Sequence, residues 1–141
     1  MRRAALAVVC LLAACATAPL PPTGMMWGYI GKIANPPNLE IVGYAPDRPS
    51  CESSRATGQT RSGVPVPSST SDRCQQLAVL PYQEGADSVY WVFGPETDVE
   101  QFGIGASDRN VCLTLRDEAL KVVSRLTTLR ECEPVIVKRV M

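Results

Sequence analysis

The side chains in this chain that could do chemistry are six cysteines, four of them beyond residue 15, a few arginines and a handful of aromatic residues. Histidine is absent, which removes Ser-His and Cys-His nucleophile pairs and the usual catalytic zinc ligands. Serine–lysine chemistry would need Lys32, Lys121 or Lys138, and none of them stands in an S-x-x-K arrangement. Cys51, Cys74, Cys112 and Cys132 contain no C-x-x-C pair, so a zinc knuckle is not expected. Disulfides are, provided the chain reaches an oxidising compartment; four cysteines admit three pairings. Gly103-Ile104-Gly105 precedes a helical pattern as a dinucleotide loop would. Asp108, however, puts an anion at the helix start where a phosphate would sit. Glu96, Asp98 and Glu100 lack the ligand series of a calcium loop and read as a solvated turn. No cofactor and no metal is expected.

Two groups remain as contact candidates. Arg48 with Arg109, and Arg55 with Arg116, are related by a short internal match and could form a pseudo-symmetric anion site. The bland alternative is surface charge whose stems cover apolar neighbours. Trp27, Tyr29, Tyr90, Trp91 and Phe93 could line a ligand groove, against the alternative of ordinary strand core. Trp27, Trp91, Arg48 and Arg109 are the residues expected to touch a ligand or partner.

The elements that must position these residues come in two similar runs. Ala45-Pro46-Asp47-Arg48-Pro49-Ser50-Cys51 and Arg55 lie over Ala106-Ser107-Asp108-Arg109-Asn110-Val111-Cys112 and Arg116, as A-x-D-R-x-x-C-x-x-x-R. Each run has a Trp-containing apolar segment before it, and a second cysteine with an apolar stretch after it. Asp47 and Asp108 are good helix N-caps, and Pro49 is tolerated in a first turn. Gly58 is a plausible C-terminal cap. Val111, Leu115, Ala119, Val122, Val123 and Leu126 recur at helical spacing. The segments 27–33 and 39–44 are split by a turn cluster at 35–38, and 89–93 and 99–104 by another at 94–98, so each pair reads as a hairpin. Segments 77–80 and 134–140 add one strand each.

This pattern predicts an α+β fold. Tandem ββαβ repeats, over about 25–85 and 86–141, form a mostly antiparallel sheet of about six strands with two helices on one face. The repeat favours disulfides Cys51–Cys74 and Cys112–Cys132, each tying a helix to the following strand. The polar stretch between Gly58 and Arg73 is expected to be a mobile loop, with partner binding as its alternative.

The amino terminus carries a different kind of signal. Met1-Arg2-Arg3 is followed by an apolar run, 4–14, with no charge. A membrane-spanning helix needs roughly 20 apolar residues, so the run reads as a secretory signal. It ends Leu12-Ala13-Ala14-Cys15, which resembles the lipobox of bacterial lipoproteins. The resemblance covers only the first fifteen residues. It implies that 1–14 is a signal peptide and that Cys15 is acylated and becomes the first mature residue. In a Gram-negative host, Ala16 after that cysteine implies the outer membrane, facing the periplasm. Pro19, Pro21 and Pro22 make 15–24 an extended tether. Nine residues from Ala16 to Gly24 reach at most about 30 Å.

Arg2 and Arg3 account for two of the 14 basic side chains, so residues 15–141 carry 12 against 14 acidic ones, net −2. That balance offers no basic face for nucleic acid. The expected function is a noncatalytic, membrane-anchored binding or interaction module of the cell envelope, contacting an envelope protein or surface component. The alternatives are a carrier of a small apolar or anionic ligand and, further off, an enzyme of unfamiliar type.

Overall fold

A computed structural model describes residues 20–33, 38–67, 73–96, 101–124 and 127–140. Cys15, the signal segment, Asp98, Glu100 and Leu126 lie outside the described residues. The elements in chain order are β1 (Gly24–Lys32), β2 (Glu40–Ala45), α1 (Arg48–Thr57), β3 (Gln75–Pro81), β4 (Val89–Phe93), β5 (Gly103–Ala106), α2 (Arg109–Val122) and β6 (Glu133–Arg139).

All strand pairings are antiparallel. The expected hairpins form: Tyr29 stands opposite Gly43 in β1–β2, and Phe93 opposite Ile104 in β4–β5. The open sheet does not form. The strands close into a barrel in the order β1-β2-β5-β4-β6-β3. The reason is edge pairing. The first three strands alone would make a sheet β2-β1-β3 with two bare edges, and the last three would make β5-β4-β6. Pairing β2 with β5 and β3 with β6 satisfies all four edges at once, whereas an open sheet would leave two rows of backbone groups unpaired. Exchanging β1 with β4, β2 with β5 and β3 with β6 leaves the set of pairings unchanged.

Closure divides the apolar residues between two cores. Alternate residues of each strand point inward, and Ile30, Val42, Tyr44, Leu77, Val92 and Val135 belong to the cluster that fills the barrel. The opposite faces of β1, β2, β5 and β4 form an outer wall beneath the helices, with Tyr29, Ala45, Phe93, Ile104, Cys51 and Cys112 in a second cluster. Helix α1 packs on β1 and β2, and α2 on β4 and β5. Both faces of β2 are therefore buried, which explains its nearly unbroken apolar sequence.

The helix ends follow their local signals. The Asp47 carboxylate accepts from the Ser50 amide at 2.8 Å, and Asp108 accepts from the Asn110 and Val111 amides. Gly58 takes φ 74° at the end of α1, a left-handed conformation that suits glycine. Disulfides join Cys51 to Cys74 and Cys112 to Cys132, each with Cα atoms 6.2 Å apart.

The segment after Gly58 departs from the expectation of a mobile loop in the part that is described. Gln59 bridges to Pro65, the Thr60 amide donates to the Val64 carbonyl, and the Val66 amide donates to the Gly58 carbonyl. Val64 is fully buried and Val66 nearly so, both within the outer core. Two valines in a polar stretch are enough to draw it inward. At the other end of the chain, Pro21 is buried and the Pro22 carbonyl accepts from the Tyr44 hydroxyl at 3.2 Å. The chain is thus held to the barrel before β1 begins.

Candidate functional site

The four expected contact residues come together in two separate pairs. Trp27 faces outward from β1 opposite Ala45. The chain reverses through Pro46 and Asp47, and the first turn of α1 carries Arg48 back over the indole, 5.5 Å from its ring centre. The second half repeats this. Trp91 stands opposite Ala106, Asp108 caps α2, and Arg109 lies 5.6 Å from the Trp91 ring. The A-x-D-R motif therefore has a local meaning: a small residue beside the tryptophan, a turn, a cap and a cation over the ring. Each such contact contributes about 0.5–1 kcal/mol where exposed.

The two pairs do not converge on one groove. Ala106 lies opposite both Ile41 and Trp91, while Trp27 lies opposite Ala45. The indoles are thus separated by three strand spacings of roughly 4.8 Å and by four residues of register. Between them run Gly43, Ile104 and their buried neighbours.

Beside the first pair the surface opens into a cleft of about 480 Å³ lined by Arg48, Glu52, Arg55, Ala56 and Arg73. Arg48 donates to Glu52 at 3.0 Å across one helical turn, with both side chains more than half exposed. Arg55 lies 5.5 Å from the Tyr29 ring. Burial pushes the Tyr29 hydroxyl well above its ordinary range, against the opposing pull of Arg55. Arg73 immediately precedes Cys74, whose disulfide to Cys51 fixes it relative to the helix. The cleft thus gathers three guanidinium groups and one carboxylate. Guanidinium stays protonated at any working pH and presents donors in a rigid fork. This lining can hold an anion, but supplies neither a nucleophile nor a proton shuttle.

On the other flank of α1 a smaller cleft of about 390 Å³ is rich in hydroxyls. Ser54 and Thr57 there donate to the helix's own carbonyls of Ser50 and Ser53.

The other sequence candidates take structural positions. Gly103 and Gly105 serve packing: a Cβ at Gly103 would lie 2.2 Å from Cζ of Tyr44, whose ring occupies that space. Arg116 does not match Arg55 in role. It donates to the carbonyls of Arg130 and Leu129 at 2.8 and 3.1 Å, and contacts Glu131 at 3.3 Å. Sequence reasoning missed Arg73 as a partner of Arg48 and Arg55. The only available sign was its place before a cysteine expected to bond to α1. It also missed Arg130, which is 5% exposed and donates to the carbonyls of Pro95 and Phe102. Among the described residues, no group of three His, Cys, Asp or Glu could hold a metal ion, and no helix is long and apolar enough to cross a membrane. No protein-family model, curated protein or solved structure matches this chain.

Proposed function

We propose that this chain is a lipid-tethered module of the bacterial cell envelope that works by binding rather than by catalysis. The observation that carries this reading is Leu12-Ala13-Ala14-Cys15, closing a charge-free apolar run behind Arg2 and Arg3. On this reading 1–14 is removed and Cys15 carries two or three acyl chains. Each buried methylene contributes about 0.8 kcal/mol, and two chains anchor stably where one does not. In a Gram-negative host the protein stands on the outer membrane, facing the periplasm. The two disulfides fit an oxidising compartment. The barrel interior carries a cluster of buried apolar side chains, while the two arginine and hydroxyl clefts beside α1 lie on the outer surface.

The module itself is proposed to be a duplicated ββαβ unit. Supporting this are the A-x-D-R-x-x-C-x-x-x-R match, the strand pairing that survives exchange of the halves, the two arginine–tryptophan contacts, and the two disulfides at matching places.

Fractionation with in-cell crosslinking tests the function. The native protein should sediment with membranes and Cys15→Ser should appear in the soluble envelope fraction. Crosslinking followed by mass spectrometry should capture a reproducible envelope component. Unchanged membrane retention of Cys15→Ser sinks the anchor, and the absence of any captured component sinks the interaction.

A further inference from the structure

Gly24 stands opposite Val79, so the chain enters the barrel beside the end of β3. Just ahead of that entry Pro21 is buried and the Pro22 carbonyl accepts from the Tyr44 hydroxyl, which fixes the backbone to the barrel from there on. The surface around the entry is apolar. Met26, Leu77 and Val79 belong to the cluster inside the barrel, so Met25, Ala78 and Leu80 point outward. Met25 lies opposite Ala78. Leu80 follows two residues along the same face, and Tyr82 comes just past the end of β3. Leu20, Met25, Leu80 and Tyr82 make up four of the seven exposed large apolar side chains among the described residues, so the entry gathers more of them than any other place. The helices pack against β1, β2, β4 and β5 and leave these side chains uncovered.

We propose that this corner is a membrane-contact patch: Leu20, Met25, Leu80 and Tyr82 enter the headgroup–acyl boundary of the bilayer that holds the lipid on Cys15. The inference rests on the anchor proposed above. With the backbone fixed from Pro21, only 20 − 15 = 5 residue steps separate Cys15 from Leu20, a reach of at most about 18 Å. So short a tether holds the patch against the bilayer at high effective concentration. Four side chains are then enough to orient a domain that the acyl chains already retain. Tyrosine suits this boundary, having an apolar ring and a polar tip. A second copy of the chain fits less well, because a stable interface takes about 20–30 residues a side. Charge has little part in the contact. Lys138 is exposed opposite Ala78, but Glu84 and Asp87 are exposed along the β3–β4 connection. Uncharged lipid should therefore suffice, and salt should not weaken the contact.

The test uses the full-length lipidated protein in phosphatidylcholine vesicles containing a lipid with a diazirine in its acyl chain. Flotation with the vesicles is read first, then the sample is irradiated and the adducts are mapped by mass spectrometry. Adducts should appear on the segment 75–84 and not on α1, at low and high salt alike. Leu80→Asp combined with Tyr82→Asp should reduce labelling of that segment to the level of α1, while flotation and far-ultraviolet circular dichroism stay native. Both replaced side chains are exposed, so the fold should tolerate them. Labelling of 75–84 no stronger than that of α1, or unchanged in the double variant, would overturn the patch while leaving the anchor standing. Failure of the native protein to float would remove the anchor and the patch together. A concentration-dependent dimer of Cys15→Ser, undone by Leu80→Asp, would give this face to a second copy and overturn the membrane assignment.

Discussion

Arg130 shows how one side chain can hold a connection together. Its guanidinium is buried and donates to the carbonyls of Pro95 and Phe102, on either side of the segment joining β4 to β5. Its own amide donates to the Gly94 carbonyl at 2.8 Å, and Gly94 has no Cβ where one would meet that guanidinium at 2.5 Å. Burial lowers the tendency of Arg130 to hold its proton, opposed by Tyr44 and Glu96; guanidinium remains charged nonetheless. Truncating such a buried cation leaves its acceptors without partners. Arg130→Met should therefore destabilise the fold by about 2 kcal/mol, within what leaving buried acceptors unpaired costs. Urea unfolding measures this, and a midpoint within error of the native one would show that Arg130 is dispensable. Nothing in the sequence around Leu129-Arg130-Glu131 distinguishes this arginine from a surface one. Its role comes from a segment about thirty residues away.

At the scale of elements, local signals were far more readable. The caps at Asp47, Asp108 and Gly58 are chemical decisions made within four residues, and the structure places them where the sequence does. The disulfide pairing was legible because the A-x-D-R-x-x-C match sets each first cysteine one turn into a helix, with the second just before a strand. Each bridge closes a loop of about 20 residues, which contributes about 3 kcal/mol in the chain-entropy account. Replacing Cys112 and Cys132 together by serine should lower stability by about that amount, read as a shift in urea midpoint under non-reducing conditions. An unchanged midpoint would mean that helix packing alone holds β6 against α2. In the described part of the stretch after Gly58, composition is a poorer guide than position: its polar residues dominate, yet Val64 and Val66 are buried in the outer core. The cleft was legible in part. Arg48 and Arg55 share a face of α1 by spacing, but Arg73 joins them only through the disulfide.

The whole molecule is held by its seams as much as by its halves. A single unfolding transition is expected, because β2–β5 and β3–β6 pairing couples the two halves along both edges. Three tyrosines report on that transition. Tyr29, Tyr44 and Tyr90 have hydroxyls pushed well above their ordinary range, chiefly by burial, and for Tyr90 also by its bond to Glu40. In the unfolded chain these groups ionise near pH 10, so above that value the unfolded state sheds protons that the fold retains. Stability is therefore fully present below about pH 10 and falls above it, by up to about 1.4 kcal/mol per pH unit for each tyrosine. In a Tyr82→Phe background, which removes the exposed fourth tyrosine, phenolate absorbance and far-ultraviolet circular dichroism should change together in an alkaline titration. Ionisation of all three tyrosines ahead of unfolding would show that they are not buried.

The sequence by itself determined what short-range chemistry can determine. That includes the caps, the two hairpins, and the cysteine pairing that follows from a repeated helix start. Each depends on residues close in the chain, or on a pattern written twice. Tertiary structure alone decided that six strands close into a barrel, because closure is set by how free edges meet and edges carry no residue signature. It also decided that the two tryptophans stand apart while three arginines stand together. Those relations depend on register across strands and on where the folded chain carries Arg73 beside α1, and that placement cannot be read along the chain.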